Sequence, residues 1–498
     1  MKLLTDDQCA QLLPAELAGF DSPIPTQIVS SDEFAPTPQT DRQREVEARL
    51  KRLADDLAHR QRITRRQFLR TAAGMTAAFV AMNEVYGPVF AADPKEAATP
   101  EHADERAKKL AGQFIFDGHT HFLRDDTRIE TFVRMREAVG KAGWNPSLVG
   151  KPQTIADLKF DNYLKEIYLD SDTKIAIISS APSEIPDDWF LTNQMAAQAR
   201  ARVNDLLGAQ RMLSHMVFAP GYPGWLEEAD RSFAEDRPNS VKGYTIGDNT
   251  HKELSRHPWR LDDEKLVYPF YEKVRKAGIR NVCIHKGLFP ASVEKQYPHL
   301  RNYCDVRDVG KAAKDWPMLN FIIYHAAYRF PGGGTPDEAL AQFDRTGRVE
   351  WVSDLADIPA KYNVNNVYGD LGQVFATTAV SQPRLCAAIM GILLKGLGSE
   401  RVVWGTDAVW TGAPQWQIEG LRRLEIPEDM QKKHGFAPLG SATGPAKSAI
   451  FGDNSARLYE IEPRAYAAAD IKLAQLKQSY RDAGGTPSNL RYGYMDAS

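Results

Sequence analysis

Eight short runs of apolar, β-branched and aromatic residues recur between residues 112 and 462, and helical patterns separate them. This alternation limits the fold more than any other feature of the chain. A strand, a helix and another strand in succession build a parallel sheet with helices on its faces. The predicted strands are 114–117, 174–179, 212–219, 241–246, 281–285, 320–325, 366–370 and 401–407. Helical periodicity fills 195–207, 263–277, 306–314, 352–361, 383–397 and 415–424. Gly278 and Gly398 stand where a helix should stop before the next strand. Eight such units match an α/β fold of the (β/α)8 type, a TIM barrel with insertions, an N-terminal extension and a C-terminal helical tail. A doubly wound open sheet competes with it, and strand number alone does not separate the two.

The polar residues favour the barrel. His119, His121, His285, His325, Asp370 and Asp407 all fall at or just past the C-terminal ends of predicted strands. That is the face on which barrel active sites are built. In FIFDGHTHF, His119 and His121 are two residues apart, so in an extended strand they emerge side by side and can share a cation. His285 ends the core of VCIHKG and His325 ends FIIYH. An imidazole after such a buried-type strand is costly unless its nitrogens are satisfied. Asp407, in VVWGTD, adds a carboxylate. Imidazole plus carboxylate suits Zn2+, with Mn2+ or Fe2+ as alternatives.

Composition excludes more than it selects. The 62 basic and 65 acidic residues leave a net charge of −3, with no footprint for nucleic acid or an anionic membrane surface. Cys9, Cys283, Cys304 and Cys386 are scattered and form neither a disulfide framework nor a zinc-finger pattern. Under strict alternation Cys283 faces the same way as His285 one layer deeper, as interior packing.

As an ordered set, these motifs resemble the amidohydrolase superfamily. The set is Asp117-x-His119-x-His121 on the first strand, His285 after the fifth, His325 after the sixth and Gly405-Thr406-Asp407 on the eighth. The likeness is to the amidohydrolase-related (amidohydrolase 2) branch, which includes the aminocarboxymuconate-semialdehyde decarboxylase-like enzymes. Val241-Lys242-Gly243-Tyr244, Trp259-Arg260-Leu261-Asp262-Asp263 and Asp453-Asn454-Ser455-Ala456-Arg457-Leu458-Tyr459 agree with it, over about residues 112–462.

The resemblance implies that His119, His121, His285 and Asp407 hold one divalent metal, zinc being the expected ion, with water in the open position. His325 would be the catalytic histidine, and Asp407 would also accept a proton from that water. Two-metal relatives bridge their ions with a modified lysine after the fourth strand. Lys242 lies at the start of that strand, so one metal is expected. The implied activity is a metal-dependent hydrolase whose metal-bound water attacks an amide, ester or lactone of a small organic acid. Non-oxidative decarboxylation of an unsaturated or aromatic acid at the same site is the alternative. A non-catalytic metal-binding barrel ranks third, because no member of the set is missing. Trp189, Phe190, Trp225, Trp259, Tyr328 and Trp410 are candidates for an apolar pocket, although scattered packing is the better reading for most. Arg329 and Lys286 are candidates to hold a carboxylate, or solvent-facing charges.

The first 62 residues read as a polar, charged extension. Residues 21–40 are rich in Pro, Ser, Thr and Asp, a loose composition. Residues 41–62 place Val46, Leu50, Leu53 and Leu57 at helical steps, as in a solvated amphipathic helix. Residues 63–92 resemble a twin-arginine export signal: Arg65-Arg66-Gln67-Phe68-Leu69, an Ala/Gly-rich apolar run, and Val89-Phe90-Ala91-Ala92 as a cleavage site. The run between Arg70 and Glu84 is 13 residues, well short of the ~20 that span a bilayer. This resemblance implies export by the twin-arginine machinery to the periplasm or beyond. The alternative is a cytoplasmic protein that keeps the segment as a helix. The tail, 463–498, is helix-like over 467–480 and is a candidate homo-oligomer contact.

Overall fold

In the computed structural model, which describes residues 22–27, 37–127, 129–143, 150, 152–329 and 336–485, the strands pair in parallel and in chain order. They are β1 (Phe116–Thr120), β2 (Ile175–Ile178), β3 (Met212–Phe218), β4 (Ser240–Tyr244), β5 (Asn281–His285), β6 (Asn320–Tyr324), β7 (Val367–Asp370) and β8 (Val402–Val403). The ends of the sheet meet. Thr120 bridges Ala408 in parallel, Gly118 N donates to Trp404 O at 2.9 Å, and Asp407 N donates to His119 O at 2.8 Å. This closure makes a barrel and excludes the open sheet. With helices outside and side chains filling the inside, the strands are buried on both faces, hence their continuous apolar runs.

Element boundaries depart from the pattern where a local contact outweighs it. β1 starts at Phe116 because the Ile115 carbonyl is taken by Lys174 N and Ile175 N, and the strand then runs on to enclose His119. The predicted strand 401–407 shrinks to two residues. Trp404 N turns aside to Ile450 O, and Asp407 adopts a left-handed φ of 62°. After β4 the helix begins at Tyr268 rather than at Asp263. Asp263 instead caps Lys265 N and Leu266 N in a turn, and Pro269 sits in the first helical turn. The helix Trp225–Glu235 is present although the periodicity does not announce it.

The N-terminal segment folds onto the barrel as helices α1 (Asp41–Gln61), α2 (Arg65–Leu69), α3 (Ala72–Tyr86), α4 (Pro94–Ala98) and α5 (Pro100–Leu110). Thr40 and Thr64 close capping boxes with Gln43 and Gln67, which is why helices start there. Contrary to the solvated reading, α1 buries Val46, Leu50 and Leu57. The shell lies on the helices that follow β7 and β8. Gln43 Nε2 donates to Val380 O at 3.4 Å, Phe90 pairs with Leu424 as an isolated bridge, and Arg106 Nη1 meets Glu419 Oε2 at 2.8 Å. Residues 28–36 of the loose stretch, and Cys9, lie outside the described residues. The tail forms the helix Pro463–Asp482, which buries Leu473 and sends Tyr466 Oη to Gln210 O at 2.9 Å. Among the described residues no helix is long and apolar enough to cross a membrane.

Charge fastens the shell. Burial raises the Glu419 carboxyl, but the charges of Arg422, Arg106 and Arg423 outweigh it and bring it down to about 2. A glutamate in the unfolded chain titrates near ~4.3. Glu419 therefore stabilises the fold fully above pH ~4.3, and that contribution is lost as the pH falls toward 2. Glu419→Gln should flatten the stability–pH profile in that window, read by urea denaturation at stepped pH. An unchanged acid limb would remove Glu419 from it.

Candidate metal centre

Barrel closure builds the site. Asp407 and His119 lie across the β1–β8 seam, joined by a backbone hydrogen bond, so the first and last motifs of the sequence become neighbours. Asp407 Oδ1 stands 3.2 Å from His119 Nε2 and 3.4 Å from His121 Nε2. β5 delivers His285, whose ring stacks on Tyr244 of β4 at 4.8 Å and meets the His325 ring edge-on at 4.6 Å. His325 follows β6, with its centroid 4.9 Å from that of His119. The five residues predicted from sequence thus converge at one barrel mouth, each 5 % exposed or less. The tightest donor set is His119, His325 and Asp407, whose ligand atoms lie within 4.8 Å of one another. The histidine expected to act in catalysis thus shares a donor set with one of those expected to bind metal.

Two of the outer nitrogens are already committed. His119 Nδ1 lies 2.9 Å from Asp370 Oδ2, and His325 Nδ1 lies 2.9 Å from Gly372 O. Asp370, marked by the sequence only as a strand-end residue, therefore sits directly behind the cluster. Burial, with the charge of Lys242 second, holds His119 and His121 well below the usual imidazole range. Both are neutral at neutral pH. With its hydrogen on Nδ1, His119 points a bare Nε2 at a carboxylate oxygen 3.2 Å away. Two acceptors at that distance call for a positive centre between them. A divalent cation fits this donor set.

Two other carboxylates sit beneath the donors. Burial pushes Asp117 up to about 7, against hydrogen bonds from Thr406 and the His119 backbone. Burial also raises Asp370 to about 7, against Lys242 and the backbone of His325 and Gly372. His325 and Asp407 hold left-handed φ values of 59° and 62°. Each costs roughly 1–2 kcal/mol for an L-residue, the kind of strain that gathers at functional sites.

Below the mouth, Lys242 Nζ lies 3.3 Å from the centre of the Tyr324 ring. Tyr324 Oη donates to Gly118 O at 2.6 Å and meets His215 Nε2 at 2.8 Å. Cys283 is interior packing, with its Sγ 3.8 Å from Tyr459 Oη.

Of the pocket candidates, two reach the site. Trp410 stacks on His121 at 5.5 Å and Phe190 meets it edge-on at 6.0 Å. Phe132 backs Trp410 at 5.6 Å. No sequence signal marks Phe132, since its helix (Glu130–Lys141) lies in the excursion between β1 and β2. Trp225 and Trp259 pack instead on Phe270 and Phe218. Trp189 Nε1 is tied to Ser183 O, and Tyr328 is buried.

The two carboxylate anchors are corrected. Lys286 Nζ is sealed into a buried pair with Asp308 at 2.9 Å and also donates to Tyr303 O. Arg329 is held by Glu350 at 2.7 Å and by Glu294. Each cation follows its strand end as expected but finds an acidic partner in the next connection.

A family model described as Amidohydrolase matches residues 116–461. No curated protein matches the chain. Similar solved structures include an uncharacterized TIM-barrel protein from Bordetella bronchiseptica, 14% identical with a TM-score of 0.44, covering 71% of this chain and 99% of that one. A 2,6-dihydroxybenzoate decarboxylase from Rhizobium is 15% identical with a TM-score of 0.38, covering 70% and 99%. A probable 2-pyrone-4,6-dicarboxylic acid hydrolase from Acinetobacter baumannii is 14% identical with a TM-score of 0.37, again covering 70% and 99%.

Proposed function

The chain belongs to the amidohydrolase family, and from that premise we propose that it is a metal-dependent hydrolase of an amide, ester or lactone of a small organic acid. His119, His121, His285 and Asp407 would hold one divalent ion, with zinc expected. A bound ion supplies Lewis acidity toward a carbonyl and toward water. The observation that carries this reading is the bare His119 Nε2 facing Asp407 Oδ1 at 3.2 Å. The position of Lys242, tucked against the Tyr324 ring below the mouth, supports one ion rather than two.

Hydrolysis needs one group to take a proton from the attacking water and another to give a proton to the leaving atom. Asp407 and His325 are two such groups in one cluster. Asp407 takes the proton from the water, and His325, once its Nε2 has accepted that proton, delivers it to the leaving atom. Non-oxidative decarboxylation is the second reading. The Trp410, Phe190 and Phe132 wall beside His121 favours it, since such a wall suits a planar, unsaturated acid. A panel of lactones, esters, amides and aromatic acids, followed in parallel for hydrolysis and for CO2 release, separates the two. Hydrolytic turnover without CO2 is expected, and CO2 release alone would replace the hydrolase by a carboxy-lyase.

A further inference from the structure

We propose that the β7 turn Asp370-Leu371-Gly372 is a tautomer clamp that fixes His119 and His325 together as Nδ1–H imidazoles, so that both present a bare Nε2 to the same point. The proposal rests on the reading of this cluster as the reaction site. Gly372 O is a carbonyl and can only accept, so His325 Nδ1 must carry the hydrogen across its 2.9 Å contact. Asp370 Oδ2 takes His119 Nδ1 at 2.9 Å, Gly372 N at 3.0 Å and His325 N at 3.3 Å. The two backbone N–H groups already donate to that oxygen, so it meets His119 Nδ1 as an acceptor whether or not the other oxygen is protonated. One carboxylate therefore orients the first imidazole directly and the second through the backbone that holds its acceptor.

The turn is built for this. A Cβ on Gly372 would lie 2.4 Å from His119 Nδ1, and a Cβ on Gly405 would lie 2.1 Å from Asp370 Oδ1. Only glycine at both places lets the carboxylate and the imidazole meet. Partners behind a metal-ligating histidine typically change metal affinity 10–100-fold when removed. Asp370 is thus a positioning residue.

The test reads tautomers in metal-free protein by two-bond 1H–15N correlation. His119→Gln and His325→Gln assign the signals by their disappearance. Wild type should show both rings as Nδ1–H, the form free histidine disfavours. Asp370→Asn keeps an acceptor and should retain it, whereas Asp370→Ala should release His119 and weaken Zn2+ binding about 10–100-fold in chelator competition. An Nε2–H His119 in wild type overturns the clamp, as does an unchanged tautomer in Asp370→Ala. Should Asp370→Ala fail to fold, the wild-type spectrum still decides. Nδ1–H rings in a protein that takes up no divalent ion when Zn2+ is supplied would support the clamp and overturn the metal reading, so the two failures are distinct.

The structure also assigns the signal-like segment 63–92 to the permanent shell of the barrel. Arg65 is paired with Asp55 at 3.2 Å and begins helix α2, so the arginine motif is folded rather than extended. Ala77, Ala78, Phe79, Ala81 and Met82 of α3 are buried at 2 % exposure or less. Thr76 Oγ1 and Glu96 hold Arg423, itself 2 % exposed, behind β8. The cleavage-like Val89-Phe90-Ala91 stretch is stitched into the barrel wall, with Ala91 N on Arg423 O and Glu425 N on Val89 O. Cleavage there would strip an apolar face from the core and leave a buried guanidinium without its hydroxyl.

Intact-mass analysis of the protein isolated from its native cells should find residues 63–92 present, whichever compartment yields it. A mature chain beginning near Ala92 overturns the assignment. So would a recombinant 93–498 chain with the melting temperature and metal content of the full chain, while its failure to fold supports the assignment.

Discussion

His325→Asn should turn over its substrate about 10²–10⁴-fold more slowly, the usual contribution of a general acid–base group. The fold and the bound metal should survive. His325 sits at a φ of 59°, and asparagine tolerates that region better than most residues, so the backbone turn should hold. Four other donors remain: His119, His121, His285 and Asp407. The loss should fall on kcat more than on KM, because the imidazole gives its proton only as the bond breaks. The structure makes this a demanding test. His325 belongs to the tightest donor set with His119 and Asp407, so metal content must be measured beside the rate. Loss of the ion would make His325 a ligand, and full activity would remove it from the chemistry.

Asp407→Asn should cost at least as much activity, since the same side chain is assigned to the ion and to the water's proton. It should also move stability in opposite directions with and without metal. In metal-free protein, Asp407 Oδ1 faces the Nε2 atoms of His119 and His121 at 3.2 and 3.4 Å. An amide nitrogen in its place can donate to either, and a hydrogen bond gained contributes about 0.5–1.5 kcal/mol. The metal-free variant should therefore melt above metal-free wild type. Added Zn2+ should stabilise wild type by about 2.7 kcal/mol at a hundred times its Kd, and should leave the variant nearly unmoved. A variant that binds Zn2+ as tightly as wild type would mean that Asp407 is no ligand.

Both expectations start from residues that stand out in the amino-acid sequence itself. All eight strands are legible there, because parallel strands covered on both faces must be apolar throughout. The five donors are legible because each ends one of those runs. The supporting groups are not. Asp370 stands out only as one more strand-end carboxylate, and Gly372 as an ordinary turn residue, until the register of β6 and β7 brings them behind His119 and His325. Phe132 reaches the site only through a long excursion after β1. Lys286 and Arg329 mislead for the complementary reason. Adjacency to a strand end fixes where a side chain starts, while Asp308 and Glu350, far away in sequence, decide where its charge goes. The arginine pair and apolar run of 63–92 fit an export signal by composition. The packing of Thr76 and Phe90 in that segment against Arg423 and Leu424 is a tertiary fact that composition does not carry.

The central claim is that this cluster holds a divalent ion. Elemental analysis of purified, active protein, paired with His119→Ala, tests it most directly. Wild type should carry close to one transition-metal ion per chain, with zinc expected. His119→Ala should lose it together with activity, while circular dichroism shows the barrel intact. Active wild-type protein without such an ion, or a His119→Ala protein that keeps its full complement, would contradict the account.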